Sequence, residues 1–168
     1  EVTVVKANTT AEIPNFVNIV EVSSAGDMFD AVTAVSDKQD IIVKAAAVAD
    51  YTPESYVDSK IKKKDGDLSI ALKRTKDILK YLGENKKEGQ FICGFSMETD
   101  NMLENSKAKL SKKNADMIVA NNLKDVGSGF KIDTNAVTLI TKDGHKSLEL
   151  KSKADVAKEI FDEILCLI

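Results

Sequence analysis

The 168-residue chain carries 24 basic and 27 acidic side chains, a formal net charge of −3, and is 43% hydrophobic and 30% charged. That balance fits an ordinary globular fold and argues against a general nucleic-acid binder, which needs a basic surplus. No apolar run approaches the ~18 residues that span a bilayer, so one domain with no membrane partner is expected, residues 1–168.

Val2 to Val5 and Val17 to Val22 read as strands separated by a polar link containing Pro14. Ser23 or Ser24 caps a helix in which Met28, Ala31, Val32 and Val35 share a face and Asp27 sits in the first turn. The return to Asp40-Ile41-Ile42-Val43 predicts a β-α-β unit, and such crossovers build parallel sheets.

The stretch Ile41-Ile42-Val43-Lys44-Ala45-Ala46-Ala47-Val48-Ala49-Asp50 is the most informative in the chain. β-branched residues giving way to alanines and then an acid predict a buried parallel strand that opens at its carboxyl end onto a ligand crevice. Methyl side chains let a base, ribose or phosphate approach the backbone directly. Asp50 could hold Mg²⁺, the usual companion of phosphates, or simply cap the turn.

Tyr51 to Asp67 contains Pro53 and the cluster Lys60-Ile61-Lys62-Lys63, and a loop of that length in a compact domain is usually functional. In an extended loop Lys60 and Lys62 point the same way. They would then neutralise a polyphosphate, the alternative being a solvated charge run. Leu68 to Leu72 alternates as a strand, and Thr75 leads into a short helix with Ile78, Leu79 and Leu82 that ends near Gly83.

Gln90 to Phe95 is the next strand. A helix follows from Asn101 to Lys113 with the stripe Met102, Leu103, Ser106 and Leu110, and with Lys109 and Lys113 at the stripe's edge. Such lysines either snorkel or face a buried anion. Met117 to Ala120 is a core strand ending at Asn121-Asn122. Ala136 to Thr141 and Lys146 to Leu150 form a hairpin through Lys142-Asp143-Gly144-His145, and a last helix from Lys153 buries Val156, Ile160, Ile164 and Leu167.

These elements predict an α/β fold: an open, mostly parallel Rossmann-like sheet with helices on both faces and a C-terminal edge β-hairpin. Ala46 to Asp50, Gly94-Phe95, Ala120-Asn121 and Thr75 to Ile78 each follow a predicted strand. In one parallel sheet their ends would share a rim. Gly127-Ser128-Gly129 lacks the third glycine of a dinucleotide fingerprint and reads as a loop. Cys93 and Cys166 have no metal spacing and read as buried reduced thiols, in keeping with a cytoplasmic protein. His145 is the only histidine and Arg74 the only arginine, so histidine dyads are excluded and bidentate arginine clamps almost so.

Five blocks together resemble phosphopantothenoylcysteine synthetase, the phosphopantothenate–cysteine ligase of coenzyme A synthesis. They are Ala45 to Tyr51, Lys60 to Lys63, Gly94-Phe95 with Glu98-Thr99, Asp116 to Asn121, and Gly129-Phe130 with Asp133 and Asn135 before Ala136 to Ile140. The resemblance runs from about residue 17 to the end. It implies CTP and Mg²⁺ as cofactors, with nucleotide contacts at Ala46, Ala47, Asp50, Lys60, Phe95, Lys109 and Lys113. The segment Lys76-Asp77-Ile78 also matches, although Lys76 replaces the family's usual proline. It further implies Lys60 as the catalytic phosphate clamp, Asp50 as the metal ligand, and 4′-phosphopantothenate and L-cysteine as substrates. A homodimer paired through the edge hairpin, and fusion to or association with a flavin-dependent decarboxylase domain, follow from the same resemblance. The family opens with a strand, a glycine-rich turn and an Asn-x-Ser-Ser-Gly-type segment carrying a catalytic asparagine. Glu1-Val2-Thr3-Val4-Val5 looks like the strand after that unit, so the chain is expected to be an N-terminally truncated fragment. Two other readings stay open: a nicotinamide-dependent oxidoreductase domain, and a non-catalytic nucleotide-binding or dimerisation module.

Overall fold

The computed structural model describes residues 1–62, 66–122 and 132–168. Lys63, the Gly127-Ser128-Gly129 loop and the Gly129-Phe130 block lie outside the described residues. The chain falls into two compact units, one of Glu1–Val32 with Ala47–Asp77 and one of Thr33–Ala46 with Ile78–Ile168.

The apolar runs of the second unit form the strands β3 (Ile41–Lys44), β6 (Phe91–Glu98), β7 (Met117–Asn122), β8 (Thr134–Thr141) and β9 (His145–Ser152). They pair in the order β3-β6-β7-β8-β9. β3, β6 and β7 are mutually parallel, while β8 runs antiparallel to both of its neighbours, so β8 alone opposes the rest. β7 explains why its sequence is an unbroken apolar run: it is covered on both faces, and Met117 to Ala120 are each 0% exposed. Met117, Ile118 and Val119 each contribute about 1.5–3 kcal/mol by leaving water.

The pleat divides β6 and β7 between two helical layers. Phe91, Cys93, Met117 and Val119 join Val137, Leu139 and Leu148 against Val156, Ile160 and Ile164 of α4 (Lys153–Leu167). The helices α2 (Ile78–Glu84) and α3 (Met102–Lys112) pack on β6 and β7. There Leu79 meets Gly94, and Ser106 meets Ser96 at 2.7 Å between hydroxyl oxygens. Helices on both faces and the terminal hairpin are therefore as expected. At its start β7 is held to β6 by Asp116. One of its carboxylate oxygens accepts the Ile92 N–H at 2.7 Å and the other accepts Lys86 Nζ at 2.5 Å, charge-assisted bonds of the stronger class.

Two expectations about burial are corrected here. β3 pairs in parallel as predicted but is only half-buried, and Ala45 to Ala47 after it are exposed. Among the described residues it ends the strand order and pairs only with β6. Leu167 is 42% exposed: it continues the stripe formed by Val156, Ile160 and Ile164 but is the last residue of α4.

In the first unit β1 (Thr3–Lys6) and β2 (Asn18–Glu21) form a parallel pair, Thr3 opposite Asn18 and Lys6 opposite Glu21. Among the described residues β2 pairs only with β1, so the expected β-α-β unit does not close within one sheet. α1 (Ala25–Ser36) starts at a reciprocal cap. The Asp27 N–H donates to Ser24 Oγ at 3.1 Å and the Ser24 N–H donates to Asp27 Oδ2 at 3.0 Å. The Ser24 and Ser23 hydroxyls hold the Asp27 carboxyl below its ordinary value. The cap's contribution is thus present above the unfolded pKa and lost as pH falls through the folded one.

The excursion after Asp50 forms a two-stranded antiparallel ribbon, β4 (Tyr51–Pro53) with β5 (Leu72–Arg74). The strand expected over Leu68 to Leu72 survives only at Leu72. Leu68, Ile70 and Leu72 are 70%, 62% and 58% exposed, so their alternation reflects no buried face. Nor does Thr75 follow a strand of the parallel sheet, since β5 belongs to this separate ribbon.

Gly83 closes α2 where a side chain has no space: a Cβ there would lie 1.7 Å from the Lys113 carbonyl oxygen. Because that atom is backbone, Gly83→Ala should lower unfolding free energy by about 2–3 kcal/mol, measured as a shift in urea midpoint at unchanged slope. Wild-type stability in the variant would disprove this packing.

Candidate functional site

Three adjacent parallel strands bring their carboxyl ends to one rim of the second unit. Lys44 lies beside Gly94, Ser96 beside Ala120 and Met97 beside Asn121. Ala46 follows β3 by two residues, and its carbonyl accepts Lys44 Nζ at 2.8 Å. Sequence reading passed over Lys44, although a lysine at a strand end before alanines was the available signal.

α3 places a charge on this rim. Its buried residues Ser106 and Leu110 fix its rotation, which leaves Lys109 half-buried with Nζ donating to the Phe95 carbonyl at 3.1 Å. The contact brings two expected site residues together, and it is made to a backbone dipole, which leaves the ammonium charge un-neutralised by that bond. Lys113 is the C-cap of α3, half-buried, and its N–H donates to the Lys109 carbonyl. Ile78 is 2% exposed at the start of α2, so only its backbone is available to a ligand.

The other expected residues, Ala47, Asp50, Lys60, Lys76 and Asp77, are in the first unit and all exposed. The β4–β5 ribbon brings Asp50 to Thr75: the Thr75 N–H donates to the Asp50 carbonyl at 2.9 Å and its hydroxyl to the Ala49 carbonyl at 2.6 Å. Arg74 lies over the Tyr51 ring at 5.4 Å, closing the end of the ribbon. Lys76 is directed to α1, with Nζ 4.4 Å from the Phe29 ring centroid and 3.6 Å from Asp30 Oδ1. No described hydrogen bond links Lys60 to Asp50 or to Thr75–Asp77.

Among the described residues no group of three or more His, Cys, Asp or Glu could hold a metal ion. A single carboxylate such as Asp50 still suits Mg²⁺, which keeps waters and takes its other ligands from phosphate oxygens.

Two buried oxygens at this end of the sheet lack a hydrogen-bond partner, Asn121 Oδ1 and Asn135 Oδ1. A groove of about 290 Å³ lies elsewhere in the second unit, lined by Lys107, Leu110, Ser111 and Thr141 to Gly144. It contains none of the expected site residues. Among the described residues no helix is long and apolar enough to cross a membrane.

The cysteines behave differently from each other. Cys93 is buried, and burial, with a smaller contribution from the Asp116 charge, pushes its thiol up to about 12. Cys166 is exposed, which corrects the expectation that both are buried. It lies on the turn of α4 facing away from Ile160 and Ile164.

Over residues 1–167 the sequence matches the family described as DNA/pantothenate metabolism flavoprotein C-terminal domain. It is 52% identical to the coenzyme A biosynthesis bifunctional protein CoaBC of Bacillus subtilis (strain 168) over 149 residues, 88% of this chain and 36% of that protein. The chain thus spans little more than a third of this relative's length. The crystal structure of the C-terminal domain of a CoaBC protein matches with a TM-score of 0.81 at 39% identity, covering 99% of this chain and 74% of that chain. A Cab2 mutant in complex with phosphopantothenate-cysteine matches with a TM-score of 0.65, at 19% identity and over 82% of this chain and 47% of that chain. At that identity the likeness is one of fold.

The contrast between the thiols is directly measurable. In the native chain an aromatic disulfide reagent near pH 8 should modify Cys166 alone, and both cysteines after denaturation. Cys166→Ser should abolish the native reaction. Rapid modification of two thiols in the native chain would contradict the burial of Cys93.

Proposed function

The chain belongs to the family of DNA/pantothenate metabolism flavoprotein C-terminal domains, and from that premise we propose that it is the phosphopantothenate–cysteine ligase part of coenzyme A synthesis. The observation that carries the reading is the Lys109 ammonium held at the Phe95 carbonyl, one position past the last β3–β6 pair, Lys44 with Gly94. A fixed cation at the carboxyl rim of such a sheet suits a phosphorylated ligand.

The proposed reaction has two steps. A carboxylate oxygen of 4′-phosphopantothenate attacks the α-phosphorus of CTP, pyrophosphate leaves, and an acyl-cytidylate forms. The amino group of cysteine then attacks the acyl carbon, CMP leaves with its electron pair, and the amine's proton passes to solvent as the amide forms. Two anions must meet in the first step, so charge neutralisation and positioning are what the protein has to supply.

The residues proposed to contact nucleotide are Ala46, Ala47, Asp50, Lys60, Lys76, Asp77, Ile78, Phe95, Lys109 and Lys113. The alanines present backbone groups, and Ile78 can offer only its backbone. Lys60 is proposed as the catalytic clamp on the phosphates, its exposure leaving it accessible to ligand. The Phe29 and Asp30 contacts of Lys76 weigh against a large share for that residue. Bound Mg²⁺ would neutralise the triphosphate, and Asp50 is the carboxylate proposed to hold it. The bifunctional Bacillus subtilis relative, and a 44% identical relative named as a cysteine/cysteine sulfinic acid decarboxylase, support an adjoining decarboxylase domain, which we propose is flavin-dependent. A homodimer and a cytoplasmic location belong to the same proposal.

Titration with CTP, ATP and NADPH tests the reading, with CTP expected to bind at least tenfold tighter than the others. Tighter binding of NADPH would favour an oxidoreductase and remove the ligase. Lys60→Ala in the full-length protein should slow acyl-cytidylate formation about 10²-fold while CTP affinity falls less than about fivefold. Equal losses in both would take the clamp role from Lys60.

A further inference from the structure

Two hydrogen bonds from Thr75 reach consecutive carbonyls, Ala49 through its hydroxyl at 2.6 Å and Asp50 through its backbone N–H at 2.9 Å. Each carbonyl lies in a rigid peptide plane. The Ala49 carbonyl belongs to the plane before the Asp50 Cα and the Asp50 carbonyl to the plane after it. Fixing both planes fixes φ and ψ at Asp50, and with them the direction of its Cα–Cβ bond. We infer that Thr75 is a positioning residue that aims the Asp50 carboxylate, 25 positions away in sequence.

The anchor is itself held. Thr75 ends the β4–β5 ribbon, where Tyr51 is opposite Arg74. The next residue, Lys76, is tied to α1 through the Phe29 ring and Asp30. Asp50 therefore takes its orientation from a braced segment, although its own side chain is exposed. A hydroxyl is required because the bond to the Ala49 carbonyl is made by Oγ1; valine keeps the shape and loses the donor. Serine keeps the donor and loses a methyl group.

The geometric part stands on these contacts alone, while its consequence for ligand binding rests on Asp50 being the Mg²⁺–nucleotide ligand proposed above. Amide hydrogen exchange in the ligand-free chain reads the geometry. Thr75→Val should speed exchange of the residue-75 N–H by about fivefold, the loss expected for one hydrogen bond, and Thr75→Ser should restore protection. Unchanged exchange in Thr75→Val overturns the inference whatever the ligand proves to be.

CTP binding with and without Mg²⁺ reads the consequence. Thr75→Val should weaken the Mg²⁺-dependent part of CTP affinity about fivefold, and Thr75→Ser should bring it back. In an Asp50→Ala background Thr75→Val should have no further effect, since it acts through the missing carboxylate. An equal loss in both backgrounds, or one independent of Mg²⁺, overturns the positioning role. Failure of the wild-type chain to bind CTP would instead remove the nucleotide reading, leaving the exchange result to decide for or against Thr75.

Discussion

The packing of the second unit turns on the contact of Leu79 with Gly94. A Cβ at this position would lie 2.6 Å from Leu79 Cδ2 and 3.1 Å from Ile118 Cδ1, so the missing methyl lets the Leu79 side chain of α2 settle directly on β6. β6 lies between β3 and β7, parallel to both. An error in its position would therefore pass to the ends of two neighbours. Ser96 and Ser106 continue the same close approach toward α3, with hydroxyls paired where neither can reach water. The unit spends two small polar residues and a glycine to seat its helices where larger apolar residues would hold them away.

That seating decides what Lys109 can do. Burial of Leu110 and Ser106 fixes the rotation of α3, and a residue one position before Leu110 is carried round to the sheet's end. There its ammonium finds the Phe95 carbonyl. A carbonyl orients the lysine without cancelling its charge, whereas the carboxylate of Asp116 closes an ion pair with Lys86. The sheet thus has one end fastened by a neutralised pair at Asp116 and another where a lysine keeps its charge available. An anion is attracted to the second and has nothing to gain at the first.

Much of this was legible before any coordinates, and the failures share a cause. The runs Phe91 to Phe95 and Met117 to Ala120 announced strands covered on both faces, because only such strands can be apolar at consecutive positions. The stripe of α3 placed Lys109 and Lys113 at its edge, where the structure has them. Leu68 to Leu72 misled because alternation records which residues could share a face, and here no second layer covers that face. Leu167 was assigned to the core by periodicity, yet it is the last residue of α4 and exposed, and Cys166, read as a buried thiol for want of metal spacing, is exposed as well. Thr75 left no local trace. Its partners are 26 and 25 residues away, and a threonine before a helix reads as a cap whichever carbonyl it bonds.

This chain holds one histidine and one arginine, so its own residues offer few means of histidine acid–base catalysis or bidentate anion binding. Lysine holds phosphate as a point charge rather than a fork, so directional control must come from elsewhere. In the first unit it comes from the backbone: two carbonyls fixed by Thr75 set the direction of one carboxylate. In the second it comes from a helix whose rotation is set by packing, which presents one ammonium at a carbonyl. Both devices place a formal charge by constraining main chain, and each needs only a small side chain to do so. Phosphoryl-group activation asks for charges held in place while a leaving group gathers negative charge. In the proposed reaction the exposed Asp50 carboxylate and the Lys109 ammonium, held at the Phe95 carbonyl, would be those charges, with no nucleophilic side chain required.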